Sequence, residues 1–278
     1  MPLIEALVLG IVQGLTEFLP VSSSGHLVLG QHLFGINEPE VFFDVVLHLG
    51  TLGAVCVVFR QEIYTLLNEV VHLPGILFQK NSLIRAWQER PAFRLLILIL
   101  AGSVPTGLIG FVFKDLFESM FASTLTVSFA LLFTGLFLFL TGRIREGTRE
   151  ITGFRILDAF LIGLAQGLAI IPGISRSGAT ISTGLFLKLD RELIVRYSFL
   201  LSIPAILAAL VLQVKDAGQS TFTPLGLSLG FLAALISGFL ALLLLLKIVR
   251  RGRLHFFAYY CWLVGLTGLG LTLSGQLT

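Results

Sequence analysis

Two short polar stretches interrupt an otherwise apolar chain of 278 residues. The first, "QGLTEFLPVSSSGH", runs from Gln13 to His26 and holds a carboxylate, three serines and a histidine. The second, "QGLAIIPGISRSGAT", runs from Gln166 to Thr180 and contributes a guanidinium at Arg176. Carboxylate, hydroxyl, imidazole and guanidinium groups in one place are suited to binding a phosphate and to nucleophilic chemistry on it.

Glu17 and Arg176 are the charged residues of these two stretches. An ionisable side chain at membrane depth costs about 2.5–3.5 kcal/mol on insertion scales and marks a functional site by default. Arg176 carries a permanent charge on a planar fork that fits phosphate oxygens. Gln13 lies one helical turn before Glu17 and shares its face. The alternative interpretation is a structural Glu17–Arg176 ion pair that locks two hairpins together.

The three serines and His26 offer hydroxyl groups beside a base. Any of Ser22, Ser23 and Ser24 could be a nucleophile that a neighbouring base activates. The sequence does not choose among them, because all three also suit helix caps and turns. His26 follows Ser22 by four positions and Ser23 by three, so it can share their face. We interpret it either as an acid/base group or as a structural one.

Composition predicts the surroundings of these residues. The chain is 55% hydrophobic and 13% charged, whereas soluble domains carry about 25% charged residues. The long apolar runs are continuous, which favours membrane-spanning helices over an alternating β-barrel. We therefore predict a polytopic α-helical protein surrounded by membrane lipids. The net charge of +3 reflects loop lysines and arginines, so no nucleic-acid partner is predicted.

Six segments are long enough to span a membrane. They are residues 41–59, 93–113, 121–140, 193–213, 225–249 and 254–274. Regions 3–35 and 156–190 are each split by a cluster of Pro, Gly and Ser, and neither half is long enough to cross alone. The fold class is thus an all-α integral membrane protein with six transmembrane helices plus two re-entrant helical hairpins. The connection 60–92 is polar, and its amphipathic part is expected on the membrane surface.

Asp44 and His48 share one face of the first spanning segment at a spacing of four residues. They either extend the polar site or lie near the outer interface. We favour the second interpretation.

Lysines and arginines predict the orientation. Sixteen of the nineteen lie in loops that we place in the cytoplasm: 60–94, 141–155, 188–196 and 247–253. The loops on the other side hold Lys114 and Lys215. Six crossings then put both termini outside, with the first hairpin entering from the outer face and the second from the cytoplasmic face.

The two polar stretches are related by a repeat. Gln13-Gly14-Leu15 matches Gln166-Gly167-Leu168 at an offset of 153 residues. Each half, about 1–140 and 154–278, holds one hairpin and three spans. Because three is odd, the halves have opposite topology within one membrane domain, and such inverted repeats place their site where the halves meet.

The tips of the hairpins should therefore meet in one pocket. Pro20 and Pro172 stop the incoming half-helices. The outgoing half-helices are expected to begin near Ser24 and Ser177, with serines as N-caps. Two helix N-termini directed into one pocket form an anion site suited to phosphate.

The motifs "QGLTEFLPVSSSGH" and "PGISRSGAT" resemble the two signatures of the bacterial undecaprenyl-diphosphate phosphatases, the bacitracin-resistance family. The resemblance covers essentially the whole chain. It implies removal of the terminal phosphate from undecaprenyl diphosphate, a polyprenyl diphosphate lipid, which regenerates the lipid carrier for peptidoglycan synthesis outside the cytoplasmic membrane. It also implies a divalent cation, Mg²⁺ or Ca²⁺.

The family's functional positions fall on Gln13, Glu17, Ser23, His26 and Arg176. Glu17, and less strongly Gln13, are the positions where the metal is expected. Neighbouring phosphate-binding positions fall on Ser22, Ser24, Gly25, Ser175, Ser177 and Thr180. Ser23 is then the nucleophile, with His26 as an acid/base or orienting partner. In the alternative, water attacks and Ser23 only binds phosphate.

A transporter is the rival class, because inverted repeats with broken helices also carry substrates across membranes. A lipid flippase would use Arg176 and the anion site but no nucleophile or base. The sequence leaves open the preferred lipid length, the identity of the metal and whether the chain forms a homodimer.

Overall fold

The structure is a computed structural model that describes residues 3–33, 41–77, 82–121, 123–144, 147–213 and 223–274. Within these ranges the chain folds into thirteen α-helices and two short 3₁₀ turns, without a strand. One isolated bridge pairs Arg149 with Leu189. The predicted all-α fold is confirmed.

The helices follow the apolar pattern of the sequence closely. In chain order they are α1 Leu3–Phe18, α2 Ser23–Leu33, α3 Val41–Val58, α4 Arg60–Leu77, α5 Ser82–Glu89, α6 Pro91–Val112, α7 Lys114–Phe121, α8 Thr124–Thr141, α9 Ile156–Leu168, α10 Arg176–Phe186, α11 Arg191–Gln213, α12 Pro224–Arg250 and α13 Phe257–Leu273. The 3₁₀ turns are Ile151–Gly153 and Leu254–Phe256.

Five helices of the described chain are long and apolar enough to cross a membrane: α6, α8, α11, α12 and α13. The count rises to six if the bent pair of α3 and α4 forms one span, with its helices at 87° to each other. These helices lie within a few residues of the six predicted segments. The location of the amphipathic helix α4 on the membrane surface stays a prediction. The predicted outer residue Lys215 lies outside the described residues.

Both predicted hairpins are present. Hairpin 1 consists of α1 and α2, which are joined by a tip of four residues, 19–22. Hairpin 2 consists of α9 and α10, which are joined by a longer tip of seven residues, 169–175. In both cases the first helix ends before the proline of the tip, as expected from the conformation that proline imposes on the residue before it.

The predicted caps are displaced by two residues. The second helix of each hairpin begins at Ser23 or Arg176, so Ser24 and Ser177 lie within the first turn. The capping oxygens belong to Ser22 and Ser175, which accept the N–H groups three residues later. Ser22 adopts a left-handed backbone conformation with φ of +70°. This local geometry could not be read from a run of three serines.

The hairpins pack crosswise between the two halves of the chain. In hairpin 1, α1 lies against α12, and in hairpin 2, α9 lies against α6. Glycines permit both approaches. A Cβ atom at Gly10 would lie 2.5 Å from the carbonyl oxygen of Gly230, and one at Gly163 would lie 2.0 Å from that of Gly102. Each hairpin is thus held by a spanning helix of the opposite half, an arrangement compatible with the predicted inverted repeat. The inverted topology itself and the membrane orientation stay predictions.

Candidate active site

The site is built around the carboxylate of Glu17, whose side chain is 7% exposed. The Ser23 hydroxyl donates to Oε2 over 2.6 Å, and the Gln13 amide donates to the same oxygen over 3.1 Å. Arg176 Nη2 donates to Oε1 over 2.7 Å. One buried carboxylate therefore joins a hydroxyl from hairpin 1 to a guanidinium from hairpin 2.

Helix ends create this arrangement. Glu17 lies in the last turn of α1, whereas Ser23 is the first residue of α2 and Arg176 the first residue of α10. The two tips are tied together because Ser22 Oγ accepts the backbone N–H of Gly173 over 3.1 Å. The prediction that the tips meet, with Ser23 and Arg176 facing one place, agrees with this geometry.

Two buried polar atoms of the site have no hydrogen-bond partner among the described residues. They are the amide oxygen Oε1 of Gln13 and the guanidinium nitrogen Nη1 of Arg176. Arg176 also lies over the ring of Phe199, with its guanidinium carbon 5.7 Å from the ring centroid. Nη1 of Arg176 is therefore available to an acceptor such as a phosphate oxygen, and Oε1 of Gln13 is available to a hydrogen-bond donor or a cation.

The oxygens of the site suit a hard divalent cation. Among the described residues, no group of three or more His, Cys, Asp or Glu side chains could hold a metal by itself. Mg²⁺, however, is usually held by one or two carboxylates and completed by phosphate oxygens and water. The Glu17 carboxylate and the unpartnered amide oxygen of Gln13 fit that incomplete set.

The remaining predicted phosphate-binding residues line the helix starts. In each hairpin a serine hydroxyl caps the N–H of a glycine three residues later and lies 3.3 Å from the hydroxyl of the serine two residues later. These residues are Ser22, Ser24 and Gly25 in hairpin 1 and Ser175, Ser177 and Gly178 in hairpin 2. Thr180, in the next turn of α10, donates to the Arg176 carbonyl and lies 2.6 Å from the Ser198 hydroxyl. Their observed contacts organise the backbone that carries Ser23 and Arg176.

His26 lies on the first turn of α2 but does not bond to Glu17 or Ser23 in the described contacts. Its Nδ1 is 2.8 Å from the carbonyl oxygen of Ser22, and its Nε2 is 2.7 Å from the hydroxyl of Tyr260. The predicted proximity of His26 to Ser22 is therefore found. In this geometry Glu17 is the base that contacts Ser23.

Sequence reasoning missed two side chains. His48 Nε2 lies 3.8 Å from Glu17 Oε2, so the interpretation that left His48 outside the site is wrong. Its spacing of four residues from Asp44 was the available signal. Nδ1 of His48 lies 2.7 Å from the backbone carbonyl oxygen of Asp44, a contact that does not involve the Asp44 side chain. Tyr260, which contacts His26, lies in an apolar helix whose local sequence gives no such signal.

The fold and site together define a polytopic membrane protein with a buried polar site between two helical hairpins. The chain belongs to the family described as Bacitracin resistance protein BacA, whose model matches residues 6–267. The family resemblance predicted from the two motifs is confirmed.

Similar proteins carry the name undecaprenyl-diphosphatase. One from Carboxydothermus hydrogenoformans is 45% identical over 277 residues, covering 98% of both chains. One from Desulfosudis oleivorans is 48% identical over 265 residues, covering 94% of this chain and 96% of the relative. One from Methanobrevibacter smithii is 44% identical over 268 residues, covering 96% of each.

Proposed function

We propose that this protein is an undecaprenyl-diphosphatase of the membrane. It hydrolyses undecaprenyl diphosphate to undecaprenyl phosphate and inorganic phosphate. The family and the names of its full-length relatives support this function. The reaction returns the lipid carrier to peptidoglycan synthesis and confers resistance to bacitracin.

The observation that carries the proposal for the site is the set of contacts around Glu17. Its two oxygens are divided between the hydroxyl of Ser23 and the guanidinium of Arg176. A base in contact with a hydroxyl, beside a cation with one unpartnered guanidinium nitrogen, is an arrangement that activates a nucleophile toward a phosphate. A structural ion pair alone accounts for neither the short Ser23 contact nor the unpartnered Nη1 of Arg176.

In the first step, the terminal phosphate binds to Arg176 in the place where Nη1 has no partner. Ser23 Oγ attacks its phosphorus atom while the hydroxyl proton passes to Glu17 Oε2. The bond from that phosphorus to the bridging oxygen breaks, and its electron pair leaves with the lipid monophosphate. Arg176 stabilises the charge on the transferred group, because positioning and charge stabilisation carry most of the catalysis in phosphoryl transfer.

In the second step, water hydrolyses the phosphoserine. Glu17, again a carboxylate after it has passed its proton to the departing lipid phosphate, takes a proton from the attacking water. Inorganic phosphate leaves, and the proton returns to Ser23 Oγ. The alternative in which water attacks the diphosphate directly uses the same residues but leaves Ser23 without covalent phosphate.

We expect a divalent cation, Mg²⁺ or Ca²⁺, held by Glu17 and the amide oxygen of Gln13. When bound, it neutralises charge on the diphosphate oxygens. The unpartnered state of this amide oxygen supports the assignment.

The family supports a location in the bacterial cytoplasmic membrane, and the distribution of Lys and Arg favours an orientation in which the site opens to the outer, periplasmic side. A labelling experiment tests this orientation. After replacement of the natural Cys56 and Cys261 by serine, a cysteine introduced at the exposed Ser119 should react with an impermeant maleimide on intact cells. A cysteine at the exposed Thr148 should react only after the cells are opened. The reverse pattern contradicts the orientation.

A flippase is not favoured, because the relatives are named as a diphosphatase and the site places a base on a hydroxyl. Phosphate release by the purified protein in detergent separates the two functions, since detergent leaves no transbilayer gradient. The assay uses a polyprenyl diphosphate with and without chelator and with added Mg²⁺ or Ca²⁺. Absence of release under every metal condition contradicts the phosphatase function.

A further inference from the structure

The imidazole of His26 lies between two oxygens of different chemical character. Its Nδ1 is 2.8 Å from the Ser22 carbonyl oxygen, which can only accept a hydrogen bond. Nδ1 therefore carries a hydrogen. In the neutral ring Nε2 then has the lone pair, and the Tyr260 hydroxyl, 2.7 Å away, donates to it.

Tyr260 also orients the imidazole with its ring. The two ring planes differ by 6°, and their centroids are 5.6 Å apart. Tyr260 lies in the first turn of α13, far from His26 in sequence. The next residue, Cys261, is fully buried, with its Sγ 3.5 Å from the Pro20 carbonyl oxygen of tip 19–22. The tyrosine is thus fixed against hairpin 1 by the packing of its own helix.

The hydroxyl group of Tyr260 can bond to the imidazole of His26 in either protonation state of the ring. It both donates and accepts hydrogen bonds. The Tyr260 hydroxyl donates to Nε2 when His26 is neutral and accepts from Nε2 when the ring gains a proton. The ring therefore keeps one position in both states, held by Ser22 on one side and Tyr260 on the other.

We propose that Tyr260 is a positioning residue for the phosphatase reaction, acting through His26. Its hydroxyl and ring hold the imidazole on the first turn of α2, three residues after the nucleophile Ser23. This inference rests on the proposed function, because it assigns Tyr260 a role only if His26 serves that reaction.

A double-mutant cycle with Tyr260→Phe and His26→Ala tests the proposal. Phenylalanine keeps the stacked ring and removes only the hydroxyl. We expect Tyr260→Phe to lower kcat about tenfold, the effect of one lost hydrogen bond, with KM changed less than twofold. In the His26→Ala background the same substitution should change kcat less than about twofold, because residues that act as a unit are not additive.

Tyr259 provides the matched control. It is the neighbouring residue on α13, and its ring contacts are with Phe139 and Trp262. Tyr259→Phe should retain the wild-type kcat and KM. Melting temperatures of all variants are measured in the same detergent, so that a change in folding is separated from a change in rate.

Three outcomes overturn the proposal: a wild-type kcat for Tyr260→Phe, an equal loss in the His26→Ala background, or an equal loss for Tyr259→Phe. If Tyr260→Phe lowers the melting temperature, Tyr260→Leu gives a second reading, and a wild-type kcat for that variant is equally contradictory. Release of phosphate by the wild-type enzyme tests the proposed function separately. An active wild type with an additive cycle refutes only the role of Tyr260.

Discussion

The two hairpins have the same helix starts but carry different chemistry. Gly25 donates its N–H to Ser22 over 3.3 Å, and Gly178 donates to Ser175 over 3.1 Å. In both hairpins a second serine hydroxyl lies 3.3 Å from the capping oxygen. Residues shared at the 153-residue offset therefore make the same capping hydrogen bonds twice, although the backbone of Ser22 is left-handed and that of Ser175 is extended.

The side chains of the proposed catalytic site lie at positions where the two hairpins differ. Among the pairs that differ at the same offset are Glu17 and Ile170, Ser23 and Arg176, and His26 and Ala179. Glu17 contacts both Ser23 and Arg176. We infer that most matching residues supply the frame, whereas the proposed catalytic residues Glu17, Ser23 and Arg176 stand at positions that differ and come together only where the tips meet. The proposed metal ligand Gln13 is the exception, because it matches Gln166.

The largest effect is expected at Ser23, where hairpin 2 has Arg176 at the corresponding position. Ser23→Ala should lower phosphate release at least about 10³-fold, because the nucleophile is lost. Ser24→Ala, which changes a shared position one residue away, should cost no more than about tenfold, the effect of a lost hydrogen bond. Acid-quenched single-turnover samples should show phosphate on Ser23 by mass spectrometry. A Ser23→Ala enzyme with near wild-type rate makes water the nucleophile and leaves Ser23 with a structural role.

Arg176→Lys tests the residue of hairpin 2 that corresponds to Ser23 at the 153-residue offset. Lysine keeps the charge but loses the planar fork that binds phosphate through two nitrogens. We expect kcat to fall about 100-fold with little change in melting temperature, since charge stabilisation carries much of phosphoryl transfer.

The control for Arg176→Lys is the partly buried ion pair of Arg149 with Asp158, which lies at the base of hairpin 2. Arg149 also donates to the carbonyls of Leu187 and Gly153. Arg149→Lys should lower stability while the folded fraction keeps its specific activity. If Arg176→Lys behaves in the same way, the Glu17–Arg176 pair is structural, and breaking it should cost roughly 3–5 kcal/mol of stability.

The spanning helices, the two hairpins and the meeting of their tips were predicted from the sequence. Continuous apolar runs of about 20 residues predict spanning helices because the bilayer sets that length. The interrupted regions predict hairpins, since their halves are too short to cross. The offset between Gln13 and Gln166 placed the two tips together, and the family motifs named Glu17, Ser23 and Arg176.

Other parts depend on tertiary structure and left no local pattern. The capping oxygens belong to Ser22 and Ser175. Ser22 has a left-handed backbone with φ of +70°, which three adjacent serines do not specify, whereas Ser175 has an extended backbone with φ of −74°. Tyr260 reaches His26 from a helix 234 residues later in the chain. His48 was visible as a polar residue, but only the packing of α3 against α1 brings it to Glu17.

A third prediction concerns helix packing at positions that the two hairpins share. Gly10 and Gly163 correspond at the same offset, and each contacts the backbone of a span from the opposite half. Gly10→Ala and Gly163→Ala should each destabilise the folded protein by about 1–3 kcal/mol through overpacking. The measurement is thermal unfolding in detergent, with Gly107→Ala in α6 as the control, because a Cβ there meets no atom within 4 Å. Loss of stability at one glycine alone contradicts an equivalent packing of the two hairpins.

The smallest expected effect concerns His48, where the two halves differ again. The residue 153 positions later is Leu201, which lies in the apolar core. Nδ1 of His48 donates to the Asp44 carbonyl, so Nε2 is the nitrogen that faces Glu17 Oε2 over 3.8 Å. That oxygen also accepts the proton of Ser23 in the proposed reaction.

The His48 side chain is 31% exposed and its contact with Glu17 is long, so solvent screening limits the interaction to about 1 kcal/mol or less. His48→Ala should therefore lower kcat about fivefold, with KM and melting temperature little changed. His48→Gln keeps a polar group at this position and should recover part of the rate. The decisive comparison adds Leu201→Ala, a core truncation that should lower stability by about 2–5 kcal/mol and leave the specific activity of the folded enzyme intact. If His48→Ala behaves like Leu201→Ala, His48 belongs to the frame. If His48→Ala lowers kcat without lowering stability, His48 supports the reaction through Glu17 at a position that the repeat does not share.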